Sequence, residues 1–346
     1  MVASASVPVG VLDVSPVVEG SSSGEALRNT IDLAQVTDRL GYHRYWLAEH
    51  HGMDGIASAA PEVLIGHVAS ATEHLRVGAG GIMLPNHAPL KVAEVFRVLE
   101  ALHPGRIDLG LGRAPGTDAL TARALRGGRG MEGADDFPQQ LGELLAFGGG
   151  VSGVAFGDDH PYGRIKTAPS DVPLPPIWLL SSSGYGAGVS AQLGLGFAWA
   201  HHISTAGVVD AMRSYRERFE PSDAFPAPHT ILATMVVCGE DDEQAAFLAS
   251  SMELSWARLA TGGRGRFPTP EEAVAHEYSP AEMAMVQQRR DSSIVGGPDT
   301  VQRRLEGLLE ATEADELMVM TMVFDHQERI RSYERLAKLL ELDPPN

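Results

Sequence analysis

Apolar residues along the chain switch repeatedly between the two-residue alternation of a strand and the 3.6-residue recurrence of a helix. Val7–Val14 has the character of a first strand, and Ser22 with Glu25 predicts a capping box. The helix it opens would turn Leu27, Ile31 and Ala34 inward. A second strand fits Tyr42–Ala48, followed by a helix from about Pro61 to Glu73. A third strand, Leu75–Leu84, is rich in glycine at Gly78, Gly80 and Gly81. The clearest helical pattern comes next: Pro89 starts it, Val92, Val95, Phe96, Leu99 and Leu102 form its stripe, and Pro104-Gly105 stops it. Arg106–Gly112, Pro176–Leu180, Phe197–Ala200, Thr230–Val237 and Glu316–Met322 complete the strands. Helices are predicted at Gly184–Leu193, Val208–Phe219, Ala245–Leu259 and Glu328–Leu340, and the stretch from Gly116 to Gly163 has little pattern.

Strands alternating with helices call for a parallel sheet of the α/β class, and eight of them suit a closed (β/α)8 TIM barrel. Strand order is not written in one sequence, so an open doubly wound sheet is the structural alternative. All 346 residues are expected to form one barrel domain. Between the seventh and eighth strands lies an excess segment, Thr261–Ser293, with Gly262-Gly263, Pro268, Pro270 and Pro280. It is either a surface insertion or a lid over one rim.

Composition narrows the partners. Lys and Arg total 27 against 45 Asp and Glu, a formal net charge of −18. Such a surface repels phosphate backbones and anionic lipid, which argues against nucleic acid and membrane as partners. Cys238 is the only cysteine, so no internal disulfide or thiolate cluster forms, and its apolar neighbours suit a buried small hydrophobe. Met1–Pro8 has no basic-then-apolar leader, and no apolar run approaches the ~18 residues of a membrane span. A cytoplasmic protein is expected.

In a barrel the chemistry gathers where the strands end, and four places there carry polar or glycine-rich sequence. Glu49-His50-His51 ends the second strand. A histidine there suits proton transfer near neutral pH, against the reading of two surface histidines. Adjacent histidines point to opposite sides of an extended chain, so a shared metal fits them poorly. Gly78-Ala79-Gly80-Gly81 leaves a wall without side chains, suited to a flat aromatic cofactor or simply to tight strand packing. Gly110-Leu111-Gly112-Arg113-Ala114-Pro115-Gly116 has the wrong spacing for a dinucleotide fingerprint. Arg113 on such a loop is nevertheless a sound anion ligand or, alternatively, an ordinary surface arginine. Ser181-Ser182-Ser183-Gly184 precedes a helix, where serines either cap it or help its free amides hold phosphate. Arg113 and the serine turn fall on consecutive strand ends, so a barrel would join them into one phosphate site.

At these residues the chain resembles the bacterial-luciferase-like flavin monooxygenases. Tyr42–His51 (YHRYWLAEHH), Gly78–Asn86 (GAGGIMLPN), Pro104–Gly116 (PGRIDLGLGRAPG) and Ile294–Pro298 (IVGGP) match the family's landmarks in order. The likeness spans nearly the whole chain and is weakest across Met131–Pro161 and Thr261–Ser293. It implies a barrel holding reduced FMN at the strand ends and activating molecular oxygen through a flavin hydroperoxide. Carried over by motif, His50 is the active-site histidine, Gly80-Gly81 a non-prolyl cis peptide behind the flavin ring, and Arg113 the phosphate-binding arginine. Ser181–Ser183 lie where the family completes the phosphate site. The reactive cysteine of the light-emitting members is replaced by Gly112, which speaks against bioluminescence. The resemblance further implies a homodimer, and the missing nucleotide fingerprint a separate flavin reductase as partner. The expected substrate is a small apolar organic molecule, hydroxylated or epoxidised; Leu12, Ile56, Met83 and Trp199 are pocket or core. Competing readings are a deazaflavin-dependent hydride-transfer enzyme, a non-catalytic flavin-binding protein, and a metal-dependent hydrolase using Glu49, His50 and His51.

Overall fold

The computed structural model describes residues 7–127, 136–263 and 265–345. Part of the Met1–Pro8 reading and part of Met131–Pro161, where the family likeness is weak, lie outside them. The elements in chain order are β1 (Val9–Asp13), α1 (Ser23–Arg39), β2 (Arg44–Leu47), α2 (Pro61–Ala71), β3 (Arg76–Ala79), β4 (Ile82–Met83), α3 (Pro89–Leu102) and β5 (Ile107–Gly112). There follow α4 (Ala119–Leu125), α5 (Phe137–Phe147), β6 (Ile177–Ser181), α6 (Gly184–Gln192), β7 (Gly196–Ala200), α7 (Val208–Glu217) and β8 (Thr230–Cys238). The last are α8 (Asp242–Ala260), α9 (Pro270–Ala275), α10 (Pro280–Arg290), β9 (Ser293–Gly296), α11 (Pro298–Thr312), β10 (Glu316–Met320) and α12 (His326–Leu339).

All ladders between these strands are parallel, in the order β10-β1-β2-β3-β5-β6-β7-β8, and β10 also pairs β8. The sheet therefore closes on itself as an eight-strand (β/α)8 barrel, and the open-sheet alternative falls. Alternation decides what faces where. Val9 and Val11 point out under the helices, while Leu12 points into the barrel; Tyr45 and Leu47 point out, Trp46 in. No helix among the described residues is long and apolar enough to cross a membrane.

The barrel floor is not packed with branched aliphatics. Arg44 donates from Nε and Nη2 to Glu316 at 2.6 and 2.7 Å, and from Nη1 to Asp108 at 2.6 Å. Trp46 Nε1 and the Arg76 guanidinium add donors to Asp108 at 3.0 and 2.6 Å. Burial alone would raise both carboxylates, but the arginines and His229 outweigh it; Asp108 is lowered and Glu316 is held at about 2. A side chain on Gly78 would come within 2.6 Å of Asp108, so a residue without Cβ is what lets this network fit. Trp178 and Phe225 close the floor edge to face, their centroids 5.1 Å apart.

Several local details differ from the sequence reading. The third strand breaks after Ala79, at the cis Gly80-Gly81 peptide, and the chain resumes as β4 against β5. Ser22 does cap α1 by accepting from Glu25 N–H, but the Glu25 carboxylate takes the hydroxyl of Ser21, so only half of the capping box forms. The unpatterned stretch after Gly116 contains α4 and α5. Thr261–Ser293 is mostly helical, with α9 and α10 lying on α8, and it leads into β9, which extends the sheet beside β8. Neither β9 nor α11 was expected.

Candidate active site

The carboxyl ends of the strands enclose a cavity of about 460 Å³. This is within the range that buries a cofactor or small ligand. Its inner wall is the upper layer of inward side chains: Leu12, Ala48, Ala198, Ala233, Met318 and Met320. Small residues alternate there with flexible methionines, so the barrel is hollow at the top while its floor is solid. Ile56, Met83 and Trp199 line the cavity as well; Trp199 also packs edge to face against Phe197, and its Nε1 donates to Ser204 O at 2.8 Å.

His50, Gly80, Arg113 and Ser181–Ser183 all border this one cavity. Arg113 and the serine turn meet because β5 and β6 are adjacent, Leu111 registering with Leu179. A side cleft of about 30 Å³ between Arg113 and the start of α6 is lined by Ser181, Ser183 and Tyr185. The Arg113 guanidinium lies 5.0 Å over the Tyr185 ring and forms no ion pair with a carboxylate among the described residues. The serines are not ordinary caps: Ser183 holds the N-cap position of α6 with no side-chain bond to the helix. Its N–H instead donates to Ser181 Oγ at 3.1 Å. The first amides of α6, beginning at Gly184, are thus left without a side-chain acceptor, as a bound anion requires. Gly184 itself does not border the cavity.

The two glycines at the cis bond serve different ends. Gly80 faces the cavity, where an added Cβ would strike Leu12 at 2.7 Å and Trp46 at 3.0 Å. Gly81 faces the neighbouring strand, and its Cβ would sit 2.8 Å from the Gly110 carbonyl oxygen. The cofactor-wall and strand-packing readings each describe one of them.

Glu49, His50 and His51 part company. Glu49 turns away from the cavity and is fully buried. It accepts from Met83 N–H at 2.8 Å and Asn86 Nδ2 at 3.1 Å, and bonds the Nε2 atoms of His51 and His87 at 2.8 and 2.9 Å. Desolvation opposes its ionisation, yet these partners hold it at about 2. One carboxylate thus ties together the loops that follow β2 and β4. His50 turns the other way: its backbone N–H donates to Ser58 O at 3.0 Å, and its buried ring Nδ1 has no protein partner. Burial lowers its pKa more than the nearby Glu49 charge raises it, so the ring is neutral and basic at pH 7. No group of three or more His, Cys, Asp or Glu among the described residues is arranged to hold a metal.

The geometry adds a residue the sequence reading passed over. His202, at the end of β7, borders the same cavity. The signal was present: Ala200-His201-His202 repeats the doublet that ends β2.

Comparison with known proteins decides the family. The luciferase-like monooxygenase family model matches residues 7–316. The chain belongs to this family. It is similar to a luciferase-like monooxygenase of Escherichia coli (strain K12), 43% identical over 94% of this chain and 94% of that protein. It is 33% identical to N-acetyl-S-alkylcysteine monooxygenase of Bacillus subtilis (strain 168), over 95% of this chain and 97% of the relative. Among solved structures it resembles apo-MsnO8 with a TM-score of 0.87 and 37% identity, covering 98% of this chain and 100% of that one. Membership accounts for the order of the four landmark motifs and for the closed barrel beneath them.

Proposed function

We propose that the chain is the oxygenase component of a two-component monooxygenase, taking reduced FMN from a separate reductase and placing one oxygen atom on a small apolar substrate. The supporting observation is the meeting of Arg113 with the uncapped start of α6, on one side of a cavity whose other walls carry Gly80 and His50. These residues fit a flavin mononucleotide. Arg113 offers a planar fork to the phosphate, and Ser181–Ser183 with the amides from Gly184 onward supply further donors. The Gly80 backbone allows a flat ring to lie close to the barrel wall.

Reduced flavin, when bound, supplies the two electrons that let oxygen be split between product and water. The protein's own part is placement, dryness and proton handling. Leu12, Met235, Met318 and Met320 keep water from the reacting face. His50, neutral because it is buried, can take a proton on Nδ1, which no protein group occupies. Gly263 and Gly265–Phe267 border the cavity from the excess segment, which we assign as a roof within a single barrel domain. A homodimer is proposed on family grounds alone.

The test is to mix purified protein with chemically reduced FMN, then admit oxygen while recording flavin absorbance. A long-lived oxygenated flavin spectrum that outlasts free-solution reoxidation supports the reading. No FMN uptake in either redox state would sink it. Anaerobic turnover with reduced deazaflavin would transfer the site to hydride chemistry, and stoichiometric NADH oxidation without a reductase would remove the partner.

A further inference from the structure

His50 and His202 stand across the barrel from one another. In the closed order β10-β1-β2-β3-β5-β6-β7-β8, the strands carrying them, β2 and β7, are four apart in a ring of eight. His202 is locked where His50 is free: its Nδ1 lies 3.2 Å from the carbonyl oxygen of Ala233 on β8. A carbonyl only accepts, so Nδ1 carries the ring hydrogen and Nε2 keeps its lone pair. No protein group among the described residues is bonded to Nε2. Burial, with smaller contributions from His201, His50 and Arg289, holds the ring at about 4, so it is uncharged at neutral pH. The cavity lining supplied by β7, the turn after it and β8 is otherwise apolar: Ala198, Trp199, Ala200, Ile203, Ala233 and Met235. The result is a fixed acceptor in a largely apolar wall, on the side opposite His50 and one strand along from the serine turn on β6.

We propose that His202 Nε2 accepts a hydrogen bond from the substrate, which is therefore an apolar molecule bearing a hydroxyl or N–H donor, such as a phenol or long-chain alcohol. The inference rests on the oxygenase reading, because it treats the space between the two histidines as the substrate's place. A group that must pair a donor discriminates against the analogue lacking it, since an acceptor covered by the ligand would otherwise lose its water unpaired. An apolar wall alone gives no such preference.

The probe is a matched pair, 4-propylphenol and its methyl ether 4-propylanisole, titrated by calorimetry against the full-length protein with and without FMN. The wild type is expected to favour the phenol by about tenfold. His202→Phe keeps the ring's bulk and should bind both alike, while His202→Gln, which places an amide oxygen at similar reach, should restore part of the preference. FMN affinity should stay within about threefold in both variants, and unchanged circular dichroism confirms that they fold. Equal binding of the pair by the wild type overturns the proposal. So does a preference that survives in His202→Phe, which would assign the donor to His50. Absence of FMN binding in every variant would overturn the oxygenase reading, whereas a wild type that binds FMN but does not favour the phenol overturns only this one.

Discussion

Arg113, His50 and Glu49 show how differently three polar side chains within the same rim are used. Arg113 is exposed, stacked on Tyr185 and free of carboxylate partners among the described residues, the state of a cation awaiting an anion. Arg113→Ala is expected to weaken FMN binding about 10- to 100-fold, the span of one or two charge-assisted hydrogen bonds. Riboflavin, which has no phosphate, should bind both proteins alike, and calorimetry with the two ligands separates the outcomes. His50→Ala should lower turnover by roughly 10² to 10⁴ with FMN affinity nearly unchanged; a flavin carrier would show no activity to lose. Because burial pulls the His50 pKa down, its basic form persists on acidification. The acid limb of kcat should therefore fall below the ordinary imidazole value of about 6.5. A limb at or above that value would contradict the assignment. The sequence marked all three residues, but not that Glu49 serves the loops while His50 serves the cavity. That division depends on which way each side chain leaves the strand end, and on partners at Met83, Asn86 and His87 more than thirty positions away.

At the scale of elements, the segment after α8 is the least expected part. Its opening residues do not wander over the surface: Phe267 N–H donates to Val17 O at 2.9 Å, and Glu19 N–H to Phe267 O at 2.9 Å. This two-bond clasp joins the excess segment to the β1–α1 loop and sets the Phe267 ring among the inward core residues beside the cavity. Phe267→Ala should admit water and raise hydrogen peroxide release per reduced flavin several-fold, with FMN affinity little changed. A peroxide yield equal to wild type would mean that the segment does not close the site. The long helices were legible because their apolar stripes and proline starts are local signals. The break between β3 and β4 was not, since it depends on the Gly80-Gly81 peptide and on β5 receiving the resumed strand. The short strand β9 escaped notice because four residues carry too little periodicity to stand out.

The whole molecule combines a formal charge of −18 with carboxylates buried beneath and beside its barrel. Glu49 and Glu316 each titrate at about 2, and Asp13 and Asp108 are lowered as well. Unfolded, the two glutamates would bind protons below about pH 4.5. The folded state resists this, so stability present above that value is lost as pH falls toward 2. The loss is on the order of 3 kcal/mol for each glutamate. Exposed carboxylates act oppositely, since protonating them relieves repulsion, but surface charges are screened and each contributes little. Urea unfolding followed from pH 6 to pH 3 should therefore show a steep decline; constant stability across that range would refute the buried-network account. The sequence by itself determined the alternation of strands and helices, the family and the residues that crowd the strand ends, because these are written in short-range periodicity and ordered motifs. Only the tertiary structure decided that the sheet closes, that its floor is ionic while its top is hollow, and that His202 faces His50. Those outcomes depend on strands far apart in sequence becoming neighbours or opposites, which the spacing along the chain does not encode.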